Sequence, residues 1–153
     1  TTITTIKRIT MKFTISIDIK KSVPAVFRYT VSPLKLGEWT KDCQSVKTIK
    51  GRRNDAGHTS KIMMKDAKSV YSIGEKVLIY ERNHRFKVLL IHNELTSEVD
   101  YLFEKIGDHT RLHARYHIRF SNLLNRLFSS FFKIPIRNQQ TEDLKSLKRK
   151  LEQ

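Results

Sequence analysis

Residues 12–19 alternate without a break: Phe13, Ile15, Ile17 and Ile19 stand against Lys12, Thr14, Ser16 and Asp18. A period of two puts successive side chains on opposite faces, so this segment predicts a strand with one buried face. The next segment, "SVPAVFRYTV", changes period. Val23, Val26, Phe27 and Thr30 fall at helical spacing, with Ser22 at the N-cap position and Pro24 in the first turn. Pro33 ends that helix, because a proline pushes the residue before it out of the helical region. "PLKLGEW" then predicts a short second helix or turn that ends near Trp39.

From Cys43 to Phe120 the pattern is that of successive strands, over roughly 43–50, 58–65, 68–80, 85–92, 95–105 and 110–120. The links between them are short turn signals: "GRRNDAG", "DA", "NH", "NE" and "GD". Links this short make antiparallel hairpins, since a parallel pair needs a long crossover. After Ser121 the period changes again. Leu123, Leu124, Leu127, Phe128, Phe131 and Phe132 form a helical stripe, and Leu144, Leu147 and Leu151 continue it. Pro135 lies between the two halves, where it is expected to kink or interrupt the helix. The fold class is therefore α+β. A curved antiparallel sheet of about seven strands wraps around a long C-terminal helix, with two short helices after the first strand.

The segment "TRLHARYHIRF", Thr110 to Phe120, places Arg111, His113, Arg115, His117 and Arg119 on one parity. Leu112, Ala114, Tyr116, Ile118 and Phe120 take the other. If Gly107-Asp108 is a two-residue hairpin turn, Glu104 faces Arg111, Asp100 faces Arg115 and Glu98 faces His117. The basic strip is then the outer, partly neutralised face of an ordinary strand, not a polyanion site. A shared metal is excluded on geometry. His113 and His117 lie about 13 Å apart along a strand, too far for one zinc.

Two more turns, Asn83-His84 and Asn93-Glu94, extend the register. They put Val77, Ile79, Phe86, Val88, Leu90, His92, Leu95, Ser97, Val99 and Tyr101 on the inner side. A turn at Asp66-Ala67 adds Ile62, Met64, Tyr71 and Ile73. The inner wall is thus mostly apolar with a few polar groups, the usual make-up of a small-molecule pocket. Glu75 and Glu81 share this parity near strand ends and are expected to reach solvent. Leu78, Tyr80, Leu89 and Ile91 fall outside, where four large apolar side chains suggest a partner surface such as a homodimer contact.

A chain of 153 residues is most simply one domain; residues 1–10 are expected to be an N-terminal extension and 11–153 the domain. Apolar residues make up 39% and charged residues 29%, which fits a folded domain and not a disordered one. The formal charge of +15 favours acidic partners, nucleic acid or anionic membrane among them. At the C-terminus, Lys145, Lys148, Arg149 and Lys150 form a basic helix side, either solvated or drawn to an anionic membrane. The one cysteine, Cys43, excludes an intrachain disulfide and agrees with a cytoplasmic location. No apolar run is long enough to span a bilayer. No nucleophile elbow, phosphate-binding glycine loop or HExxH motif is present.

"ISIDIKKSVPAVFRYTVSPLKLGEW", "GRRNDAGHTSKI" with Gly51 and Gly57, "YLFEKIGDHTRLHARY" and "EDLKSLKRKLE" come in that order. In order and spacing they resemble the START-like helix-grip superfamily, especially its polyketide cyclase/dehydrase and lipid-transport branch, over about residues 11–152. The resemblance implies a hydrophobic cavity between sheet and helix. It does not imply one function. The expected function is binding or transport of a hydrophobic small molecule or lipid, with no cofactor. The expected cavity residues are Ile62, Met64, Tyr71, Val88, Leu90, His92, Ser97, Val99, Tyr101, Tyr116 and Phe128, with Trp39 near the entrance. The alternative is a cyclase- or dehydratase-like enzyme in the same cavity, for which His92 with Tyr101 or Tyr116 is the candidate acid/base group. A third reading is a basic surface protein.

Overall fold

The computed structural model describes residues 9–93, 95–120 and 123–153, with backbone alone for Ile9 and for 123–134. The order is β1 (Ile9–Ile19), α1 (Val23–Val31), α2 (Leu36–Trp39), β2 (Cys43–Lys50), β3 (Thr59–Lys65), β4 (Val70–Glu81), β5 (Arg85–His92), β6 (Leu95–Ile106), β7 (His109–Phe120) and α3 (Leu123–Leu151). The strands form one antiparallel sheet in the order β1-β7-β6-β5-β4-β3-β2. Consecutive strands from β2 to β7 pair as hairpins, and β1 closes onto β7. α3 and the two short helices cover the concave side. Leu144 and Leu147 of α3 are fully buried, as are Ile19, Val26, Val77 and Leu112, and all six belong to one core cluster.

The local sequence accounts for the helix ends. Ser22 is the N-cap of α1, although its side chain makes no capping bond, and Pro24 sits in the first turn. Ser32, just before Pro33, is extended at φ −70°, ψ 121°, and stops the helix. α3 runs through Pro135 unbroken, so the interruption considered there does not occur. A proline removes one backbone bond, and the C-terminal half of α3 is held by several others. Lys148 Nζ donates to the Asp18 carbonyl at 2.6 Å, and the Lys20 N–H donates to Glu152 Oε1 at 2.8 Å. The side chains of Leu123, Leu124, Leu127, Phe128, Phe131 and Phe132 lie outside the described residues, as do Glu94 and residues 1–8 of the expected extension. β1 begins at Ile9, two residues before the expected Met11.

The β6–β7 register is the one the Gly107-Asp108 turn requires. Glu104 stands opposite Arg111, Asp100 opposite Arg115 and Glu98 opposite His117. The β5–β6 register likewise follows the expected turn, with His92 opposite Leu95. Two other turns differ. The β3–β4 link is four residues long, so Met64 meets Tyr71 and Ile62 meets Ile73; the inner parity is kept. The β4–β5 link is a three-residue loop, with Glu81 opposite Arg85 and Asn83 at φ 62°. A register shift between Val77 and Ile79 then restores the core pairing of Val77 with Val88. As a result Tyr80, expected outside, turns inward. It meets Phe27 and Phe86 edge to face, at centroid distances of 5.4 and 5.9 Å. Ile79, expected inside, stands opposite Lys87 on the outer side. The expected outer apolar patch loses its largest member.

On the outer face of β1 and β5–β7 the carboxylates are shared among basic side chains, often diagonally. Asp18 takes Arg111 through two bonds of 2.7 and 3.1 Å, and Glu104 takes His113 at 2.7 Å. Asp100 takes Arg85 at 2.9 and 2.8 Å and Arg115 at 3.4 Å, and Glu98 takes Lys87 and Arg119. Burial works against the charge on Asp100, but the Arg85 hydrogen bonds and the neighbouring cations outweigh it and hold this carboxyl below its usual range. A depressed carboxylate adds stability above its unfolded pKa of about 3.9, and that stability is lost as pH falls through the folded value. Asp100→Asn is therefore expected to flatten the acid limb of a stability-versus-pH curve below about pH 4. Urea titrations across that range check it; an unchanged acid limb would remove Asp100 from the account.

Candidate functional site

The concave side is built from alternate residues of every strand. Val88, Val99 and Tyr116 are buried in the main core cluster, and Tyr101 packs against them. Phe13 of β1 stacks on Tyr116 at 4.7 Å, and Phe86 stacks on Tyr101 at 6.3 Å. A second group gathers at the other end of the sheet. Ile62 and Met64 are buried with Cys43, and Tyr71, Ile73 and Leu90 pack against them. Ser97 is buried opposite Leu90 and Ile118. Phe13, Ile15, Ile17, Leu90 and Tyr101 face the concave side yet keep accessible surface. Trp39, expected near an entrance, sits at the end of α2 inside the main core, only 5% exposed.

His92 does not join the two tyrosines. It stands at the end of β5 opposite Leu95, with its ring 5.0 Å from Tyr71 and its Nδ1 3.3 Å from the Ser72 carbonyl. Tyr101 lies six residues beyond Leu95 along β6. At ~3.3 Å per residue that is about 20 Å, too far for one acid/base group. Tyr116 stands opposite Val99, four residues beyond Leu95 and one strand further on, so His92 meets neither Tyr101 nor Tyr116.

A different polar node is. Glu75, expected to reach solvent, is only 6% exposed in the middle of β4. It stands opposite Ser60 on one side and Leu90 on the other. Its Oε1 accepts a bond from Ser60 Oγ at 2.9 Å and pairs with Arg53 Nη1. Arg53 comes from the β2–β3 loop, bounded by Gly51 at φ 85° and Gly57 at φ 90°. A Cβ on Gly51 would also approach His58 Cα to 3.3 Å, so glycine fits this corner on both counts. The Arg53 Nε and Nη2 both donate to the Val31 carbonyl at 3.2 Å, closing the C-terminus of α1. Its guanidinium carbon lies 5.7 Å from the centre of the Phe86 ring. One side chain thus ties the loop, the first helix and the sheet together. His58, 2% exposed, adjoins the node, with Nε2 at 3.4 Å from Thr48 Oγ1. Burial, and then the charge of Arg53, push its pKa below the ordinary histidine value.

α3 adds an acid. Asp143 is 7% exposed and accepts bonds from the Gln139 side chain at 2.8 Å and the Lys41 N–H at 3.2 Å. Burial raises its pKa above the usual carboxylate value. Burial also raises Tyr101 and Tyr116, and the negative charge of Asp143 adds to the rise in both, so both phenols stay protonated. Among the described residues four polar atoms are buried without a protein partner: Trp39 Nε1, Thr40 Oγ1 and His58 Nδ1, and His117 Nε2 on the outer face. A buried, unpaired polar atom costs about 1–3 kcal/mol, so each is suited to a hydrogen bond from outside the chain. The sequence reading missed Arg53, Ser60 and Asp143. For Glu75 a signal existed: a carboxylate on an inward parity needs a cation.

Residues 10–152 match the sequence model of the family described as polyketide cyclase/dehydrase and lipid transport. No protein of curated function matches the chain in sequence. Solved structures do match in fold. A conserved protein from Geobacillus kaustophilus superposes with a TM-score of 0.76 at 14% identity, covering 92% of this chain and 95% of its own. Ara h 8.0201 gives 0.73 at 9% identity, covering 93% and 97%. The di-domain ARO/CYC StfQ from the steffimycin biosynthetic pathway gives 0.73 at 10% identity, covering 92% of this chain and 50% of its own. At these identities the likeness establishes the fold alone.

Proposed function

Because the chain belongs to the polyketide cyclase/dehydrase and lipid transport family, we propose that it is a carrier or binding domain for a hydrophobic small molecule or lipid with one polar end. The ligand lies between the concave sheet face and α3. The observation that carries this reading is the mixture on that side. Apolar side chains that face inward keep accessible surface, and among the described residues Trp39 Nε1 and His58 Nδ1 are buried polar atoms without a protein partner. Apolar walls supply affinity, and a few fixed polar groups supply orientation. Among the described residues no helix is long and apolar enough to cross a membrane. The proposed setting is the cytoplasm, on the separate ground that the one cysteine, Cys43, is buried as a free thiol.

Trp39 is the only tryptophan, and it sits in the core beside the concave side. Its fluorescence is therefore expected to change on titration with a neutral apolar probe such as N-phenyl-1-naphthylamine, with an affinity nearly indifferent to salt. Tyr116→Phe removes a hydroxyl and is expected to weaken a polar-ended ligand by about tenfold. A Trp39 signal that does not respond to any apolar ligand would count against the reading.

A second reading, a cyclase- or dehydratase-like enzyme, is favoured by Asp143. A buried carboxyl whose pKa is raised, near two protonated phenols, has the make-up of a proton-transfer site. Under that reading Asp143→Asn abolishes turnover of a polyketide-like substrate while leaving binding intact. Under the carrier reading it changes affinity, and no turnover exists to lose.

A further inference from the structure

The outer face of the sheet is not uniform. On β1 and β5–β7, Asp18, Glu98 and Asp100 each hold at least one arginine or lysine, and Glu104 takes His113. On β2, β3 and β4 up to its register shift the outward positions carry Lys47, Lys50, Lys61, Lys65 and Lys76, with no carboxylate among them; the outward Glu81 lies beyond the shift, at the far end of β4, opposite Arg85. All five lysines are exposed, and none forms an ion pair among the described residues.

The register sharpens the contrast. Lys47 stands directly opposite Lys61, and Lys50 and Lys76 stand on either side of Thr59. Like charges opposed across a pair of strands are destabilising. The same sheet opposes acid to base on β6 and β7, where neutralisation is achieved. Protection of a free sheet edge accounts for lysines on β2. It does not account for Lys61 and Lys76, which lie on strands paired on both sides. Aliphatic side chains stand among the cations: Val70 is 68% exposed, and Ile91, 46% exposed, follows Lys61 and Gly74 in the same row.

We propose that this lysine face docks onto an anionic lipid surface. The proposal does not depend on what the concave side holds. The chemistry selects the partner. Lysine presents a mobile point charge suited to a field of headgroups, whereas specific nucleic-acid readout favours the planar arginine fork and stacking aromatics. The outward positions of β2–β4 hold neither arginine nor aromatic residues. Exposed valine and isoleucine among the lysines can enter the headgroup layer, and a phosphate backbone gives them nothing to contact.

The test compares two triple variants of equal net charge. Lys47→Gln/Lys61→Gln/Lys76→Gln strips the face, and Lys145→Gln/Arg149→Gln/Lys150→Gln strips the end of α3. Binding is read by co-sedimentation with phosphatidylcholine vesicles, with and without phosphatidylserine, at low and high salt, and circular dichroism checks the fold. The full chain is expected to bind only the serine-containing vesicles. Stripping the face is expected to weaken that binding by about 100-fold, at about fivefold per lysine. Stripping the helix end should change it by less than about threefold. Equal losses in the two triples would reduce the effect to net charge and overturn the proposal. So would an absence of vesicle binding, or duplex DNA displacing the protein from vesicles at low concentration.

Discussion

Arg53→Met is expected to cost about 3–5 kcal/mol of folding stability, the largest effect anticipated for any residue outside the apolar core. The reason is the charge it leaves behind. Glu75 is 6% exposed, and once Arg53 is gone its carboxylate retains only the Ser60 hydroxyl. A buried charge without its partner is far more costly than the pair is worth. The double variant Arg53→Met/Glu75→Leu is therefore expected to recover most of the loss. About 1 kcal/mol should remain missing, because the Val31 carbonyl at the end of α1 also loses its donor. Urea denaturation of the wild type, both single variants and the double variant measures the coupling. A double variant as unstable as Arg53→Met would mean that the node acts through the loop, the helix end and the Phe86 contact, and not through charge.

Leu147→Ala is expected to cost about 2–5 kcal/mol. Leu147 is fully buried and, with Leu144, joins α3 to the core that contains Leu112, Val77 and Val26. Truncation removes apolar contact and leaves a cavity that the surrounding strands can close only in part. Leu34→Ala serves as the contrast. Leu34 is 89% exposed, and its truncation should stay within about 0.5 kcal/mol. Thermal or urea unfolding distinguishes the two. A small loss at Leu147 would mean that α3 is not fastened to the sheet by its leucines.

The hairpin of β6 and β7 was readable from the chain because two signals agree there. Gly107-Asp108 fixes a two-residue turn, and alternation on both strands fixes the faces. Even so, the ion pairs that form are partly diagonal: Glu104 takes His113, and Glu98 takes Arg119. Long side chains reach past the residue opposite, so register does not choose the partner. β4 was misread near its end for a different reason. "VLIY", Val77 to Tyr80, is apolar on both parities, so alternation carries no information where the register shift occurs. Tyr80 is inward because the extra residue moves the remainder of the strand to the other face.

The polar node was hidden by distance along the chain. Arg53 lies in a loop 22 residues before Glu75, and neither periodicity nor turn chemistry connects them. Asp143 stands on a helix whose last turns are basic, yet it turns toward Lys41 and the interior. Conversely, the separation of His92 from Tyr101 was already contained in the strand spacing, because both positions follow from the Asn93-Glu94 turn. The family was legible in the order of its segments; the chemistry of its interior was not.

The central claim, that a hydrophobic ligand is held between the sheet and α3, is tested most directly by native mass spectrometry. The full chain is taken as purified from cells, and the same sample is then extracted with organic solvent. The account predicts a stoichiometric apolar adduct that the extraction recovers as a single class of lipid or small molecule. An adduct-free protein that also fails to take up any added apolar ligand would contradict it.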